Sequence, residues 1–255
     1  MAKKMEEGYG TKVLMNVVDA DHVDLSEFSE EKAKETRRFH ESIPVYNRTP
    51  LVHLRGLGEK LGVKGIYVKN EAERFGMKAF KGLGGTYAMF RILCRELGLD
   101  PEKVDFSEFQ KKETREKTAK YTFVTATDGN HGKGVSWASG LFGAQAYVYM
   151  PKGTVKAREE AVRQAGPAEV TVTDWNYDDT VKYAKKMSEE HGWFLIQDTS
   201  WDGYEEIPGW IMEGYLTMAS EAAEQIEALG EIPTHVFLQA GVGSMAGAVA
   251  GYLVN

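Results

Sequence analysis

The sequence predicts an α/β fold built on a mostly parallel, twisted sheet flanked by helices. From about residue 121 onward, short apolar runs alternate with longer amphipathic stretches. This alternation implies parallel strands joined by right-handed crossovers, with helices on both faces of the sheet. Apolar residues form 42% of the 255 residues. That share is enough for a normal core, and the length suits one large or two small domains.

The part of the chain before residue 121 has a less regular pattern. Pro44 is expected to end a polar helix, and Pro50 to fix an extended bend, because proline disfavours helical backbone at and before its own position. The predictions here are a partly ordered lead-in over 1–25, a helix over 29–42, extended segments over 51–54 and 66–69, a helix over 86–97, and a charged surface excursion with some helix over 100–120.

The strands and helices after residue 121 are predicted from the alternation of apolar and amphipathic segments. Ligands of such folds bind at the carboxyl ends of the strands, so the loops that follow the strands are where a site is expected. The predicted strands cover 121–126, 145–150, 169–172, 194–197 and 235–239, and the predicted helices cover 131–142, 156–165, 177–191 and 207–229.

Composition and charge exclude several classes of function. The net charge of −7, with no dense block of lysine and arginine, argues against nucleic acid as a partner. No apolar run reaches membrane-spanning length, and the first residues lack the apolar core of a signal peptide, so we expect a soluble cytoplasmic protein. The single cysteine, Cys94, lies in an apolar helical run. This predicts a buried thiol and excludes an intramolecular disulfide or a metal site built on several thiolates.

The segment Ala79–Gly85 places Lys81 between Phe80 and a cluster of glycines, at the entry of a predicted helix. Burial there would favour the uncharged amine, a nucleophile that can form a Schiff base with a carbonyl. The glycines would let the backbone approach a bulky planar group. Taken alone, the segment is more typical of a solvated lysine beside a turn, but two later segments favour the functional interpretation.

The segment Thr125–Gly132 follows a predicted strand and opens a helix. Its hydroxyls, the Asn130 amide, the His131 imidazole and several backbone N–H groups suit an anion such as a substrate carboxylate. The same residue types are also ordinary turn and helix-capping residues. Asp128 is the unexpected member, because a second negative charge in an anion site is costly unless it has a chemical task.

The segment Gln239–Gly247 again joins a predicted strand to a helix. Gly241 and Gly243 would allow backbone N–H groups to converge on a phosphate, with help from the helix dipole. By itself this Gly-x-Gly-x-x-x-Gly pattern is a weak signal, and a dinucleotide site is the alternative.

Taken together, the three segments are similar to the pyridoxal-phosphate enzymes of the tryptophan-synthase-β or threonine-dehydratase fold type. In that group a Phe-Lys pair carries the cofactor, a later Gly-Asn-His turn contacts cofactor and substrate, and a Gly-rich loop binds the phosphate. Phe80-Lys81, Gly129–His131 and Gly241–Met245 occur in that order and with similar spacing. Thr49–Leu51 also resembles the Thr-Pro-Leu that precedes the lysine in this group.

Within the group, the chain is most similar to the diaminopropionate ammonia-lyase family. Like that family, it has Asp128 before Gly-Asn-His, where general dehydratases have a small residue. The other segments that carry the resemblance are Glu73–Gly76, Tyr149–Gly153, Thr173–Asp174, Asn176–Thr180, Gln197–Thr199, Pro208, Trp210–Met212 and Gln239–Gly243.

The resemblance implies pyridoxal 5'-phosphate as the cofactor, a small amino acid as the substrate, no metal, and α,β-elimination of 2,3-diaminopropionate to pyruvate and ammonia. Lys81 would hold the cofactor and serve the L-isomer, and Asp128 would take the α-proton of the D-isomer. Asp198 is expected to hold the second amine or to tune Asp128, with a helix cap as the alternative. The implied cofactor contacts are Phe80, Lys81, Asn130, Gly241, Val242, Gly243, Ser244 and Met245, and the implied substrate contacts are Thr127, Asp128 and His131.

The resemblance also implies the two-domain architecture of fold type II. Residues 1–87 would begin the large cofactor-binding domain, 88–198 would form a smaller α/β domain, and 199–255 would return to the large domain. The family continues beyond the phosphate loop, whereas this sequence ends one helix after it. We therefore expect a partial large domain, weak activity of this chain alone, and a homodimer or pairing with a complementary C-terminal chain.

Other functions stay open at the level of sequence. An inactive relative would act as a binding module or subunit, and the Gly241 loop alone would fit a nucleotide-dependent oxidoreductase. A different pyridoxal-phosphate ammonia-lyase, acting on serine or threonine, is a further alternative. An absorbance spectrum separates an enzyme that carries the cofactor from a colourless module.

Overall fold

The computed structural model describes residues 24–255, together with the two-residue strands β1 (Glu7–Gly8) and β2 (Thr11–Lys12), which pair antiparallel. The lead-in predicted over 1–25 therefore lies almost entirely outside the described residues. The helices are α1 (Glu30–Glu41), α2 (Arg55–Leu61), α3 (Lys81–Leu97), α4 (Lys112–Thr118), α5 (Asn130–Phe142), α6 (Lys156–Ala165), α7 (Tyr177–His191), α8 (Glu206–Glu227) and α9 (Ser244–Val254). The remaining strands are β3 (Leu51–His53), β4 (Tyr67–Lys69), β5 (Thr122–Ala126), β6 (Gln145–Met150), β7 (Glu169–Val172) and β8 (Phe194–Leu195).

A four-stranded parallel sheet, in the order β7-β6-β5-β8, forms one layer. Side chains of β5 alternate between its faces, as the two-residue period of a strand requires. Phe123 joins the apolar cluster that includes Val135 of α5, whereas Val124 joins the cluster that includes Ala184 of α7. The sheet is thus covered on both faces, and its carboxyl ends leave one edge where the loops into α5, α6 and α7 begin.

The second layer is helical, with α3 at its centre against α1, α5 and α8. Helices α3 and α8 approach closely at two glycines. A Cβ on Gly214 would stand 2.7 Å from the Gly84 Cα and 2.7 Å from the Leu83 carbonyl oxygen. Helix α5 approaches the start of α3 in the same way, since a Cβ on Gly134 would stand 3.0 Å from the Lys81 carbonyl oxygen. These contacts admit only glycine, and they fix the first turn of α3.

A buried ionic cluster ties the β3–β4 pair to α8. The Arg74 and Glu221 side chains are fully buried, and their Nη2 and Oε2 atoms lie 2.8 Å apart. The Lys69 amine, at the end of β4, lies 2.6 Å from the same Glu221 oxygen. The Tyr46 hydroxyl donates to the other Glu221 oxygen at 2.7 Å.

Most predicted elements are confirmed to within one or two residues, but the start of α3 and the strand predicted over 235–239 differ. Helix α3 begins at Lys81 rather than at residue 86, because its glycines pack against neighbouring helices instead of forming a turn. The strand predicted over 194–197 ends at Leu195. The strand predicted over 235–239 is wrong, since residues 231–243 form neither helix nor strand. A strand needs a hydrogen-bonded neighbour, and no described strand pairs with this segment, whose Phe237 is 92% exposed.

Two other predictions concern single features. Cys94 is buried, as predicted, and burial raises the pKa of its thiol to about 12. The four-stranded sheet lies inside the range 88–198 predicted for the smaller domain, and the division into domains stays a prediction. Among the residues that the structure describes, no helix combines the length and the apolar character needed to cross a membrane.

Candidate active site

A cavity of about 770 Å³ lies at the carboxyl edge of the sheet, where the first turns of α3, α5 and α9 meet. The three segments selected from the sequence all line it, although more than 150 residues separate the first from the last. Parallel topology places the loop after β5 at this edge, and the packing of α3 against α5 and α8, and of α9 against α8, brings the other two segments to it. Its lining residues are Phe80, Lys81, Thr127, Asp128, Gly129, Asn130, His131, Lys133, Pro151, Arg158, Ala161, Tyr177, Asp198 and Gln239–Ala246.

Lys81 is the first residue of α3, and its side chain is 21% exposed. Its amine donates a short hydrogen bond to Oδ2 of Asp198. The amine also lies 5.6 Å from the centre of the Phe80 ring. The lysine is therefore held inside the cavity by a carboxylate rather than solvated on the surface.

Asp198 is 5% exposed and lies three residues beyond the end of β8. Burial alone would raise its pKa, but the charges of His131 and Lys81 and the hydrogen bond from Lys81 outweigh burial, so the pKa is lowered. The helix-cap alternative for Asp198 is wrong, because the next helix, α8, begins only at Glu206. The residue is a buried carboxylate that faces the cavity.

His131 lies in the first turn of α5, lines the cavity and is buried. Its Nε2 lies 2.8 Å from the Ile196 carbonyl oxygen. A carbonyl only accepts, so Nε2 carries a hydrogen. Its Nδ1 lies 3.8 Å from Oδ2 of Asp198 and has no hydrogen-bond partner among the described residues. His131 thus faces the Asp198 carboxylate with its second ring nitrogen.

The turn before α5 is organised by Thr127, which is 2% exposed. Its hydroxyl oxygen accepts hydrogen bonds from the N–H groups of Gly129 at 3.0 Å and Gly132 at 3.1 Å. The turn is therefore built by the capping chemistry that the sequence left as an alternative. Asn130 and Asp128 are the exposed residues of this turn, and both line the cavity.

Asp128 lies at the mouth of the cavity, with its side chain largely exposed. One of its carboxylate oxygens lies 3.7 Å from the guanidinium of Arg158, and the same guanidinium donates to the Asp128 carbonyl oxygen at 3.2 Å. Solvent screens so exposed a pair. Asp128 is thus a water-accessible carboxylate beside a cation, in contrast to the buried Asp198.

The loop Gly241–Gly243 leads into α9, which begins at Ser244. Gly243 has φ +96°, a left-handed conformation that glycine adopts without strain. The first N–H groups of a helix have no partner within it. The buried Ser244 Oγ likewise has no hydrogen-bond partner in the part of the chain that the structure describes. This end of the cavity presents donors suited to an anion.

Three polar residues that line the cavity were not among the site residues predicted from the sequence. Lys133 lies on α5 and donates to the Met77 carbonyl oxygen at 2.7 Å, Arg158 lies on α6, and Tyr177 begins α7. All three lie in or next to the first turn of a helix that follows a strand. The rule that ligands bind at the carboxyl ends of parallel strands could have found them.

Comparison with known proteins shows that the chain is similar in sequence to one group of enzymes. The family model described as pyridoxal-phosphate dependent enzyme matches residues 43–255. The diaminopropionate ammonia-lyase of Escherichia coli strain K12 is 51% identical over 228 residues, which are 89% of this chain and 56% of that protein. The chain therefore spans little more than half the length of this relative.

Two solved structures of the diaminopropionate ammonia-lyase from Escherichia coli have the same fold. The complex with D-serine superposes with a TM-score of 0.85 at 50% identity, covering 89% of this chain and 57% of that one. The complex with an aminoacrylate-PLP azomethine reaction intermediate superposes with a TM-score of 0.83 at 50% identity, covering 89% of this chain and 56% of that one.

Proposed function

The chain belongs to the family of pyridoxal-phosphate-dependent enzymes, and from this premise we propose that it catalyses the α,β-elimination of 2,3-diaminopropionate, in both the D and the L form, to pyruvate and ammonia. The observation that carries the proposal is the meeting of a lysine, two carboxylates and a glycine loop on one cavity. Each supplies a group that this reaction needs. The 51% identity to a diaminopropionate ammonia-lyase supports the choice of substrate.

The residues that line the cavity fit pyridoxal phosphate. The unpartnered Ser244 Oγ and the N–H groups at the start of α9 would hold the phosphate. Gly241 and Gly243 have no atom within 4 Å of the position of a Cβ, so the space beside this loop is open. Lys81 offers an amine that bonds to a carbonyl, and Phe80 and Asn130 line the same cavity. When bound, the cofactor supplies a conjugated ring that accepts the electrons of a broken bond at Cα.

Two bases on two sides of the substrate would allow both enantiomers to react. The D and L forms present the α-hydrogen to opposite faces, so one rigid base serves one form. The Lys81 amine, once free, would take the α-proton of the L form, and the Asp128 carboxylate would take that of the D form. Asp128 suits this role because it is exposed at the mouth, where a collected proton passes directly to water.

Asp198 would hold the second amine of the substrate. Its carboxylate is buried and its pKa is lowered, so it stays negatively charged at neutral pH. In the structure its partner is the Lys81 amine. When that nitrogen is committed elsewhere, the Asp198 carboxylate faces the cavity as an acceptor, and the N–H groups of the uncharged second amine of the substrate can donate to it. Neither serine nor threonine has a second amine, so this contact would favour diaminopropionate.

The location, the oligomeric state and the partners of the whole protein are proposed from the resemblance. The whole protein is expected to act in the cytoplasm as a homodimer, with no nucleic acid or membrane as a partner. Cell fractionation and the mass of the natural protein in solution test these expectations.

The proposed function is tested by product release from the natural protein loaded with pyridoxal phosphate. D- and L-diaminopropionate should each yield one pyruvate and two ammonia molecules, and faster turnover than serine or threonine is expected. Lys81→Ala should abolish release, while Lys78→Ala, which alters an exposed lysine three residues away, should retain it. Faster turnover of serine or threonine would instead identify a dehydratase, and no turnover of any amino acid would contradict an enzymatic role.

A further inference from the structure

The side-chain amide of Gln197 has an orientation that its surroundings fix. Its Oε1 accepts a hydrogen bond from the Ala126 N–H at 3.2 Å and another from the Thr125 hydroxyl at 3.3 Å. A backbone N–H donates only, so the oxygen of the amide must face it. The Gln197 NH₂ group therefore points the other way, where it lies 3.1 Å from the hydroxyl oxygen of Tyr177.

This orientation decides which way the Tyr177 hydroxyl points its hydrogen. An amide NH₂ group donates and cannot accept, so the Tyr177 oxygen accepts in this bond. Its own hydrogen must be directed elsewhere, and no described residue accepts it. Tyr177 is half-buried at the start of α7 and lines the cavity. The hydroxyl is thus a donor held in place by its oxygen, with its hydrogen free for a ligand.

The electrostatic surroundings of Tyr177 favour the protonated form of its hydroxyl. Burial and the negative charges of Asp198 and Asp128 raise the pKa of Tyr177 to about 12. Both carboxylates are groups that the proposed function brings to the substrate. A phenol in this setting carries its proton at neutral pH.

We infer that Tyr177 is the catalytic acid that protonates the departing group on Cβ, an inference that rests on the proposed function. The step balances as follows. The Cβ–N bond breaks and its electron pair stays on nitrogen, the Tyr177 hydrogen completes ammonia, and the electron pair left by the α-proton forms the Cα–Cβ double bond. The Tyr177 oxygen, left negative, regains a proton from water through the open mouth beside Asp128. A departing group without this proton would be an amide anion, which is a very poor leaving group.

The other proton carriers on the cavity are committed to other contacts. The Lys133 amine is bound to the Met77 carbonyl oxygen at 2.7 Å. The hydrogen on His131 Nε2 is bound to the Ile196 carbonyl oxygen, and its Nδ1 lies 3.8 Å from Oδ2 of Asp198. Lys81 is the attachment point of the cofactor and, once its amine is free, the proposed base for the L form, so with the D form it brings no proton to the departing group. Tyr177 is therefore the carrier best placed to donate into the cavity.

The test compares substrates whose leaving groups differ in their need for a proton. Diaminopropionate and serine lose nitrogen or oxygen and need an acid, whereas β-chloroalanine loses chloride, which leaves unprotonated. Tyr177→Phe removes only the hydroxyl, so pyruvate release from diaminopropionate and serine should fall by about 10²–10⁴-fold. Release from β-chloroalanine should fall by less than about threefold on the same grounds.

A second variant separates loss of the hydrogen from loss of the hydroxyl. Gln197→Glu keeps the shape and the acceptor oxygen, but its other oxygen would accept the Tyr177 hydrogen and turn it away from the cavity. The same selective loss is expected. Tyr183→Phe is the matched control, because Tyr183 lies on α7 and packs its ring against Tyr149 and Trp175. It should leave all three rates unchanged.

The possible outcomes separate this inference from the proposed function. Equal losses on all three substrates, or no loss on any, would overturn the role of Tyr177 and leave the elimination reaction standing. Wild-type protein that releases no pyruvate from any of them would overturn the proposed function, and this inference with it. A loss confined to diaminopropionate and serine in both variants supports the inference.

Discussion

Although burial would raise the pKa of Asp198, the charge of His131 helps to lower it. Because the Nε2 hydrogen of His131 is bound to the Ile196 carbonyl oxygen, its Nδ1 carries a hydrogen only when the ring is an imidazolium. That nitrogen lies 3.8 Å from Asp198. A charged ring would therefore support the Asp198 carboxylate after the Lys81 amine has left it, and Asp198 could stay ionised while it holds a substrate amine.

At the same scale, Asp128 is expected to distinguish the two enantiomers. Asp128→Asn should lower the rate with D-diaminopropionate by about 10²–10⁴-fold, the usual effect of losing a general base, and the rate with the L form by much less. Asp178→Asn, an exposed change at the start of α7, is the control. Initial rates of pyruvate release with each enantiomer measure whether the loss in Asp128→Asn is specific for the D form. Equal losses on both would assign Asp128 a structural role or a role in the later elimination step.

Local sequence motifs predict some of these functional side chains but not others. Lys81, Asp128 and His131 were predictable, because each belongs to a local motif with its own chemical meaning. Tyr177 and Gln197 were not, because they are 20 residues apart in the sequence, one at the start of α7 and the other after β8, and only the fold brings them into contact. Only the folded chain brings together the groups that orient the Gln197 amide.

At the scale of elements, the contact of α3 with α8 predicts the effect of one added methyl group. Gly214→Ala would place a Cβ 2.7 Å from the backbone of α3, and backbone on both sides leaves no flexible atom to move. A loss of about 1–3 kcal/mol in the free energy of unfolding is expected. Chemical denaturation measures it, and because the contact fixes the first turn of α3, activity should fall as well.

Gly209→Ala provides the control in the same helix. A Cβ at this position has no atom within 4 Å, so the change should be neutral or raise the free energy of unfolding by up to about 1 kcal/mol through helix propensity. If Gly214→Ala were as stable as Gly209→Ala, the close approach of the two helices would be refuted.

The ionic cluster between the β3–β4 pair and α8 predicts a dependence on pH. Burial raises the pKa of Glu221, but Arg74, Lys69 and Tyr46 outweigh it and lower the pKa to about 2. The folded pKa lies below the unfolded value of about 4.3. The stabilisation is therefore fully present above about pH 4.3 and is lost as the pH falls towards about 2.

Glu221→Gln should lower the free energy of unfolding at pH 7 by about 3–5 kcal/mol, because it leaves Arg74 buried without its partner charge. The difference from wild type should shrink as the pH falls from about 4.3 towards 2. Glu224→Gln, one turn along α8 and half-exposed beside Arg37 and Arg48, should cost less than about 1 kcal/mol. A Glu221→Gln difference that stays constant with pH would contradict the ionic account.

At the scale of the whole molecule, the pattern of apolar residues predicted the four-stranded sheet correctly, but it also predicted a strand over 235–239 that the structure does not have. Strands β5 and β6 are buried along most of their length and pair with each other, so their apolar runs carried the information. Residues 235–239 have the same apolar character, yet no described strand lies beside them. Hydrophobic pattern predicts which residues favour a strand, but pairing is a property of the fold.

The position of the cavity also follows from the whole fold rather than from any one motif. Lys81 was predicted from its neighbours, whereas its segment meets the Gly241 loop because α8 packs against both α3 and α9. The depth of each group did not follow. Asp198 is buried and Asp128 exposed, and this difference, which separates their proposed roles, depends on how α5 and α6 cover the carboxyl edge.

The central claim is that Lys81 holds the cofactor in a cavity shared by the three segments. The most direct measurement incubates the natural protein with pyridoxal phosphate, reduces it with borohydride, and maps the labelled peptide by mass spectrometry. The account predicts a single label on Lys81, and no label in Lys81→Ala. A label on Lys133, the other lysine that lines the cavity, or on Lys78 or Lys69 would contradict it.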